Sequence, residues 1–378
     1  MNPVVLLPNF CAEENANWRL LLSQPFYRRL ATMWRLLFGS ETRVKGVDDD
    51  SLHHLSSSLF QQSQPIFDGL PTTEAGVPWL VTSAAIKSLT NLGVAPWGSS
   101  AELVHQIHDK AFAKRFAAAS SIDPHPIRGL FRIFDAEEIR DLDAFHQSLR
   151  DALVTWPEEY RERWTLKPRF GSSGRGRLPG TFLRVELPAL PGAQSRLIQR
   201  GGVILEPFLD RTVDVSSQFF VHENGQVEVL GTLAQVLSTS GSYDGHIGRI
   251  MEGNIVAGSA YDDQMIEESQ KLVHEVATKG FRGPCGIDGF AFRVNGDVYF
   301  RSLVELNARF TVGTIVIGLL RRIIQSERLP RWIAADSSFR FYLSPPDVPL
   351  PASAYVIPIT QENGAFTSLF TFLRPGRT

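Results

Sequence analysis

The chain has 378 residues, of which 43% are hydrophobic and 21% charged, and its formal net charge is −2. This length is enough for two or three domains with their own cores, and the balanced charge argues against nucleic-acid binding through a broadly basic surface. The two cysteines, Cys11 and Cys285, lie far apart in sequence and define neither a metal-ligand spacing nor a disulfide framework, so we expect two reduced thiols in a cytoplasmic protein.

The first hundred residues mix short apolar runs with helical patterns. The predicted elements are a strand at Val4–Leu7, a helix at Trp18–Phe38 with Pro25 as a candidate break, a strand at Pro78–Val81, and a helix at Ala84–Asn91 followed by Gly93. Because strands and helices alternate here, we expect a small open-sheet α/β domain.

The pattern changes near residue 164, from helices to strands and glycine-rich turns. Residues 101–119 predict one helix, and Asp135 is expected to cap a second helix that runs to about Val154. The later predicted elements are strands at Leu166–Pro168, Val203–Pro207, Val213–Val221 and Val227–Leu230, a helix at Asp262–Lys279, a hairpin at Gly286–Asn307, and a helix from Gly313 to about Ile324.

No segment predicts a signal peptide or a membrane span. The N-terminus lacks a basic start, and its apolar run is short. The longest apolar stretch, Phe310–Leu320, is about half of the ~20 residues that a membrane helix needs. We therefore expect a soluble protein with no membrane partner.

A cationic glycine-rich loop follows a short strand at Thr165–Gly180, where the sequence is TLKPRFGSSGRGRLPG. The strand delivers Lys167, and glycines let the backbone approach a ligand so that successive N–H groups can bind phosphate oxygens. The segment is not a P-loop, because no Gly-Lys-Ser/Thr ends it. A flexible hairpin with solvated arginines is the alternative.

A very apolar strand ends at Glu206, and Pro207-Phe208-Leu209 then turns the chain. An acceptor at this turn could bind the amino edge of adenine, with Phe208 and Leu209 on either side of the ring. Asp214 could accept a hydrogen bond from a ribose hydroxyl. On this segment alone, an ordinary strand–turn–strand with a surface carboxylate is the favoured interpretation.

The late hairpin predicts a cluster of oxygen ligands. Asn295-Gly296 is a strong signal for a two-residue turn, which would place Asp288 opposite Leu303. Since side chains alternate faces, three oxygen-bearing side chains suited to Mg²⁺ project together: Asp288, Glu305 and Asn307. Arg301 and Arg309 share this face, so a carboxylate–arginine cluster on an exposed sheet is the alternative.

These three segments, in this order, resemble the ATP-grasp superfamily. The matching motifs are Lys-Pro with the GSSGRG loop, the Glu-Pro-Phe-Leu hinge with a downstream acid, and an Asp on one strand with Glu-x-Asn-x-Arg on the next. Each motif is loose, but the ordered set is specific and covers roughly residues 100–325. The PNFCAEENANW opening is similar to the pre-ATP-grasp domains of some peptide-forming ligases.

The resemblance implies a role for each matched residue. The residues implied to bind ATP are Lys110 (or Lys114 in its place), Lys167, Gly171, Ser172, Ser173, Gly174, Gly176, Glu206, Phe208, Leu209 and Asp214. The implied Mg²⁺ ligands are Asp288, Glu305 and Asn307. The groups implied to neutralise charge during catalysis are Lys167, Arg301 and Arg309, of which Arg309 would meet phosphate or acyl phosphate.

The resemblance also implies an α/β architecture in which an N-terminal open-sheet domain precedes an ATP-grasp fold with a small lid. The expected parts are an N-terminal domain at 1–100, a central helical part at 101–163, a lid with the glycine-rich loop at 164–206, a C-terminal sheet domain with the metal site at 207–330, and a proline-rich strap at 331–378.

The implied activity is ATP-dependent ligation of a carboxylate to an amine through an acyl phosphate, with ADP and phosphate as products. The carboxylate would belong to a small molecule or a peptide. Two alternatives stay open, namely a small-molecule kinase and a non-catalytic nucleotide-binding module. Dimers are common among similar proteins, and the sequence leaves the choice between monomer and homodimer open.

The segment Leu237–Gly248 is a candidate substrate loop. Asp244 or His246 could accept the proton of the amine or orient an acceptor, and Tyr243 lies beside them. A lone histidine in a glycine-rich loop is more often a solvated surface residue, and that interpretation ranks first.

Overall fold

The structure of the protein is a computed structural model that describes residues 3–39, 41–47, 58–60, 64–171, 175–237, 243–344, 346, 349–362 and 365–374. The described residues form a four-stranded parallel sheet, a four-stranded antiparallel sheet and a nine-stranded antiparallel sheet, packed with helices. This arrangement confirms the expected mixed α/β fold class. Within the described residues, no helix combines the length and the apolar character that crossing a bilayer requires.

The N-terminal domain is built on the parallel sheet, in the order β2-β1-β3-β4. Its elements are β1 (Val5–Leu7), α1 (Trp18–Leu21), α2 (Pro25–Arg35), β2 (Arg43–Val44), β3 (Ala75–Pro78), α3 (Ser83–Thr90) and β4 (Ala95–Pro96). Pro25 occupies the first turn of α2, so the expected break in the first helical pattern is present. Trp34 is fully buried and packs at right angles to Trp79, with ring centroids 5.4 Å apart.

Two helices follow where the sequence predicted one, namely α4 (Ala101–His108) and α5 (Lys110–Ala119). The chain breaks at Asp109, whose backbone is extended and whose carboxylate accepts from the N–H of Ala111 as the N-cap of α5. Asp109 also pairs with Arg169. The break brings Lys110 to the start of a helix, where it lies beside Arg169 and Gly171.

The small antiparallel sheet has the order β5-β8-β6-β7 and carries the segment expected to be a lid. Its elements are β5 (Arg132–Asp135), α6 (Leu142–Val154), α7 (Glu158–Arg161), β6 (Trp164–Pro168), β7 (Leu178–Gly180), α8 (Leu190–Gln199) and β8 (Gly202–Pro207). The expected cap at Asp135 was wrong, because Asp135 ends a strand and Asp141 caps the helix instead. The sheet therefore begins some thirty residues before the expected lid boundary at residue 164.

The large sheet has the order β14-β13-β9-β10-β11-β15-β17-β16, with β12 beside β11. Its elements are β9 (Asp210–Val221), β10 (Val227–Leu237), β11 (Tyr243–Met251), β12 (Asn254–Val256), α9 (Asp262–Thr278), β13 (Gly283–Val294), β14 (Asp297–Asn307), α10 (Val312–Ile324), α11 (Arg331–Ala335), β15 (Asp336–Tyr342), β16 (Tyr355–Glu362) and β17 (Ala365–Leu373). The expected C-terminal strap is instead three strands of this sheet, since β15 pairs with β11 along seven residues.

Candidate active site

One cleft of about 1030 Å³ lies where the N-terminal domain, the small sheet and the large sheet meet. Most of the candidate site residues from the sequence analysis line this cleft. Those that line it are Lys110, Lys167, Gly171, Glu206, Phe208, Leu209, Asp214, Tyr243, His246, Asp288, Glu305, Asn307 and Arg309. Residues distant in sequence by up to two hundred positions therefore face one volume, as a ligand site requires.

The floor of the cleft near the metal candidates is the β13–β14 hairpin. The turn at Asn295-Gly296 has positive φ at both positions (50° and 92°), as a two-residue hairpin turn requires, and it starts the predicted register. The register then shifts between Asp288 and Phe290, so Asp288 lies opposite Glu305 and not opposite Leu303 as expected. The shift accommodates two extra residues in β14 and is a β-bulge, which sequence alternation alone does not reveal.

The shifted register brings the three oxygen-bearing side chains together. Asn307 donates a hydrogen bond from Nδ2 to Asp288 Oδ2 at 3.1 Å, and Asp288 lies directly across from Glu305. Gln235 on β10 donates to the other oxygen of Asp288 at 3.1 Å. No three His, Cys, Asp or Glu side chains gather as a metal cluster within the described ranges, so this set is two carboxylates and an amide.

The two carboxylates have opposite pKa shifts. Burial and the charge of Glu305 raise the pKa of Asp288 to about 7. Burial also opposes ionisation of Glu305, but Lys110, Lys167 and Arg309 outweigh it and lower the pKa of Glu305 to about 2. The pair therefore shares one proton near neutrality, as two crowded carboxylates do, and a divalent cation would remove the repulsion between them.

Titration of Asp288 predicts a pH dependence of stability. Between its ordinary pKa of 3.8 and about 7, the folded protein holds a proton at Asp288 that the unfolded chain has released. This group therefore makes the free energy of unfolding decrease as the pH rises through that window. Asp288→Asn removes the titration, so we expect a flatter profile from urea unfolding between about pH 4 and 7. Parallel profiles for the two proteins would contradict the assigned shift.

Two buried lysines line the wall above this floor. Lys110 Nζ lies 3.4 Å from Glu305 Oε2 and donates to the carbonyl of Gly171. Lys167 Nζ lies 3.6 Å from Glu206 Oε1, and burial lowers the pKa of Lys167 to about 8 although Glu206 opposes this shift. Both lysines line the cleft, so an anionic ligand there would meet two ammonium groups.

Arg301 does not line the cleft, contrary to its expected catalytic role. Its side chain is 3% exposed, and both terminal nitrogens donate to Glu206 Oε2 at 3.0 and 3.1 Å. Its Nε lies 3.4 Å from Asp123, which also pairs with Lys114. Lys114, the alternative to Lys110, is thus part of this buried network and is absent from the cleft lining.

The hinge residues border the far end of the cleft. Both carboxylate oxygens of Glu206 already face cations, Lys167 and Arg301, which hold the pKa of Glu206 well below its usual range although burial opposes this. Its side chain therefore holds the cationic ends of Lys167 and Arg301 close together at this part of the cleft. Phe208 is 37% exposed at the mouth of the cleft, and Asp214 accepts from Arg211 at 2.8 Å.

The glycine-rich loop is described only at its ends. Ser172, Ser173 and Gly174 lie outside the described residues. Gly171 and Gly176 both have positive φ (147° and 80°), a conformation that favours glycine. Gly171 lines the cleft, whereas Gly176 lies behind it, close to Arg200.

No protein-family profile and no curated protein matches the sequence. Solved structures do match. The biotin carboxylase domain of 2-oxoglutarate carboxylase from Hydrogenobacter thermophilus, solved as a dimer with MgADP, ADP and bicarbonate, is 14% identical, with a TM-score of 0.53 over 99% of this chain and 86% of that one. N5-carboxyaminoimidazole ribonucleotide synthetase from Thermus thermophilus is 14% identical, with a TM-score of 0.52 over 99% and 94%. N5-carboxyaminoimidazole synthase from Aspergillus clavatus, solved with ADP and 5-aminoimidazole ribonucleotide, is 12% identical, with a TM-score of 0.52 over 100% and 95%.

The chain has the ATP-grasp fold. At these identities the likeness shows the fold alone, so the chemistry has to be argued from this chain's own side chains.

Residues 238–242 of the candidate substrate loop lie outside the described residues, and two of its three named residues line the cleft. Tyr243 and His246 line the cleft, whereas Asp244 points away and pairs with Arg340 at 3.3 Å. Burial lowers the pKa of His246 to about 4, so its ring is neutral near pH 7, and it lies directly across from Gln235. His246 Nδ1, Tyr243 Oη and Ser216 Oγ are buried without hydrogen-bond partners among the described residues.

Sequence reasoning missed several cleft residues, among them four with polar or charged side chains. Arg177 and Arg211 line the cleft near the hinge, and Arg211 lies over the ring of Phe290 at 4.1 Å. Gln235 binds Asp288, as described above. Glu13 comes from the loop after β1 and lies 3.2 Å from Arg309. Only Arg177 had a sequence signal, as part of the cationic loop; the others depend on contacts between distant segments.

Proposed function

We propose that this chain is an ATP-dependent carboxylate–amine ligase, which forms an amide through an acyl phosphate and releases ADP and phosphate. The observation that carries the proposal is the convergence of Asp288, Glu305 and Asn307 with Lys110 and Lys167 on one cleft. An exposed carboxylate–arginine cluster, the alternative interpretation of the hairpin, does not account for two buried lysines facing the same oxygens.

The donor set fits a magnesium–nucleotide complex. Two carboxylates and an amide are the oxygen ligands that Mg²⁺ prefers, and a divalent cation would relieve the repulsion between the two facing acids. Asp288, Glu305 and Asn307 would hold the ion, which would neutralise charge on the phosphates. ATP would lie along the cleft, with its adenine at Phe208 and Leu209 and its phosphates toward Lys110 and Lys167. Proteins of similar fold have been solved with MgADP, ADP or ATP bound.

The proposed reaction has two steps, formation of the acyl phosphate and formation of the amide. A carboxylate oxygen of one substrate bonds to the γ-phosphorus as the bond to the β–γ bridging oxygen breaks, which gives an acyl phosphate and ADP. The amine nitrogen then bonds to the acyl carbon, loses a proton, and expels phosphate. Lys110, Lys167 and Arg309 are placed to stabilise charge on the transferring group, so positioning and electrostatics supply most of the rate.

The proposal is tested by incubating the protein with ATP, Mg²⁺ and pairs of carboxylates and amines. We expect phosphate release that depends on both partners, together with a new mass equal to their sum minus water. Phosphorylation of a hydroxyl substrate without amide formation would identify a kinase instead. Nucleotide binding without turnover of any pair would favour a non-catalytic module.

A further inference from the structure

The part of the cleft lined by the N-terminal domain has an apolar wall. Four side chains of the N-terminal domain form it: Phe10, Phe26, Leu30 and Trp79. Phe10 and Trp79 meet edge to face, with ring centroids 5.0 Å apart, and both are almost fully buried, as is Leu30. Because these rings are fixed by one another, the wall is a preformed surface for an apolar group.

A single carboxylate interrupts this apolar region. The Glu13 side chain is 2% exposed, and its Oε1 lies 3.2 Å from Arg309 Nη2. Its Oε2 is buried and has no hydrogen-bond partner among the described residues. A buried charged oxygen without a partner is costly, so its presence at a cleft points to a ligand that supplies the missing donor.

The backbone around Glu13 is held in an unfavourable conformation. Glu13 lies in a single helical turn between Cys11 and Asn15, whose φ angles are 56° and 55°; asparagine adopts this left-handed region readily, but cysteine rarely does. The turn is fixed from outside, because the Asn9 side chain binds the backbone of Leu80 and Glu14 pairs with two arginines of the small sheet. Such strain persists where it positions a functional group.

Glu13 also stands next to the proposed reaction centre. Arg309 Nη2 donates to Asn307 Oδ1 at 3.1 Å while it pairs with Glu13, so one guanidinium separates Glu13 from the proposed metal ligand. A ligand that binds Glu13 through one group can therefore present another group toward Arg309 and the transferring phosphate.

We propose that the carboxylate substrate is an α-amino acid with an apolar side chain, whose ammonium group binds Glu13 and whose side chain lies against the Phe10–Phe26–Leu30–Trp79 wall. The inference rests on the proposed ligase function. The ammonium supplies the donor that Glu13 Oε2 lacks, and the carboxylate of the same molecule reaches Arg309. An acidic side chain would face apolar rings and a like charge at Glu13, which disfavours it, and Arg175, which also lines the cleft, is already paired with Glu14.

The test traps the activated carboxylate. The full chain is incubated with MgATP, hydroxylamine and one probe carboxylate, and the hydroxamate formed when hydroxylamine displaces phosphate is measured. The probes are L-phenylalanine, L-leucine, L-glutamate and 3-phenylpropanoate, which lacks the amine. We expect hydroxamate from phenylalanine or leucine only. Hydroxamate from glutamate or 3-phenylpropanoate alone would overturn the inference and leave the ligase proposal standing.

A matched pair of variants tests the role of Glu13. Glu13→Gln keeps the size of the side chain and is expected to raise the KM for the apolar amino acid at least about tenfold, with the KM for ATP unchanged. Glu102→Gln, on the exposed face of α4, is expected to leave both constants unchanged. An unchanged KM for the amino acid in Glu13→Gln would overturn the inference.

Binding of MgADP to the wild type and to Glu13→Gln, measured by thermal shift, separates the substrate assignment from the ligase proposal. Binding by both proteins, combined with no hydroxamate from any probe, overturns the substrate assignment while nucleotide binding survives. A wild-type protein that does not bind MgADP overturns the ligase function, and the inference with it.

Discussion

Glu305→Gln is expected to reduce ATP-dependent ligation by on the order of 10²–10³-fold. The substitution keeps the shape of the side chain but removes the carboxylate that stays ionised between Lys110 and Asp288. The site then loses one of its two carboxylates, and both the binding of the cation and the placement of the γ-phosphate weaken. The measurement is kcat for phosphate release with a competent pair of substrates.

A control separates this effect from general damage to the protein. Glu267 is a glutamate on α9. Its side chain is 75% exposed and pairs with Lys271 at 2.9 Å. Glu267→Gln should retain wild-type turnover. Circular dichroism of Glu305→Gln should match that of the wild type, because an amide fills the same volume. Wild-type turnover in Glu305→Gln would show that the proposed metal assignment is wrong.

Arg301→Gln is expected to lower the free energy of unfolding by about 3–5 kcal/mol. Arg301 is buried and donates twice to Glu206, and its loss leaves Glu206 and Asp123 with fewer counter-charges in a region without solvent. Breaking a buried pair by removing one partner is costly because the remaining charge stays desolvated. Urea unfolding of the ligand-free protein measures the effect.

The matched control is an arginine pair on the surface. Arg140 pairs with Glu137 at 2.7 Å, with side chains 60% and 78% exposed. Arg140→Gln should change stability by no more than about 1 kcal/mol, because solvent screens such pairs. If Arg301→Gln unfolded like the wild type but lost activity, Arg301 would act on the substrates directly, as the sequence first suggested.

The sequence predicts those parts of the fold and the site that depend on residues close together in the chain. A two-residue hairpin turn requires positive φ at two successive positions, and Asn295-Gly296 is one of the few residue pairs that adopt it readily. The dipeptide therefore predicts the hairpin, and the alternation of side chains along its strands predicts the shared polar face. Pro25 likewise cannot continue a helix from the preceding turn, which fixes the start of α2.

The parts that the sequence did not reveal depend on contacts across the fold. The bulge that moves Asp288 opposite Glu305 leaves alternation intact, because the shift is by two residues, so nothing local marks it. The break at Asp109 is stabilised by Arg169, sixty positions away. Alternation along β14 puts Arg301 on the same face as Glu305. In the structure, however, Arg301 pairs with buried Glu206 of the small sheet and does not line the cleft.

The loop that carries Glu13 and Glu14 has a consequence for handling the protein. Glu14 pairs with Arg175 and Arg200, which lie between strands of the small sheet, and Glu13 pairs with Arg309, which follows β14 of the large sheet. Two adjacent glutamates near the N-terminus thus tie together three separate parts of the molecule. A shortened protein that begins after Asn15 would keep every predicted nucleotide-binding residue, yet it would lose β1 from within the parallel sheet, leave three arginines without these counter-charges and open one side of the cleft to water.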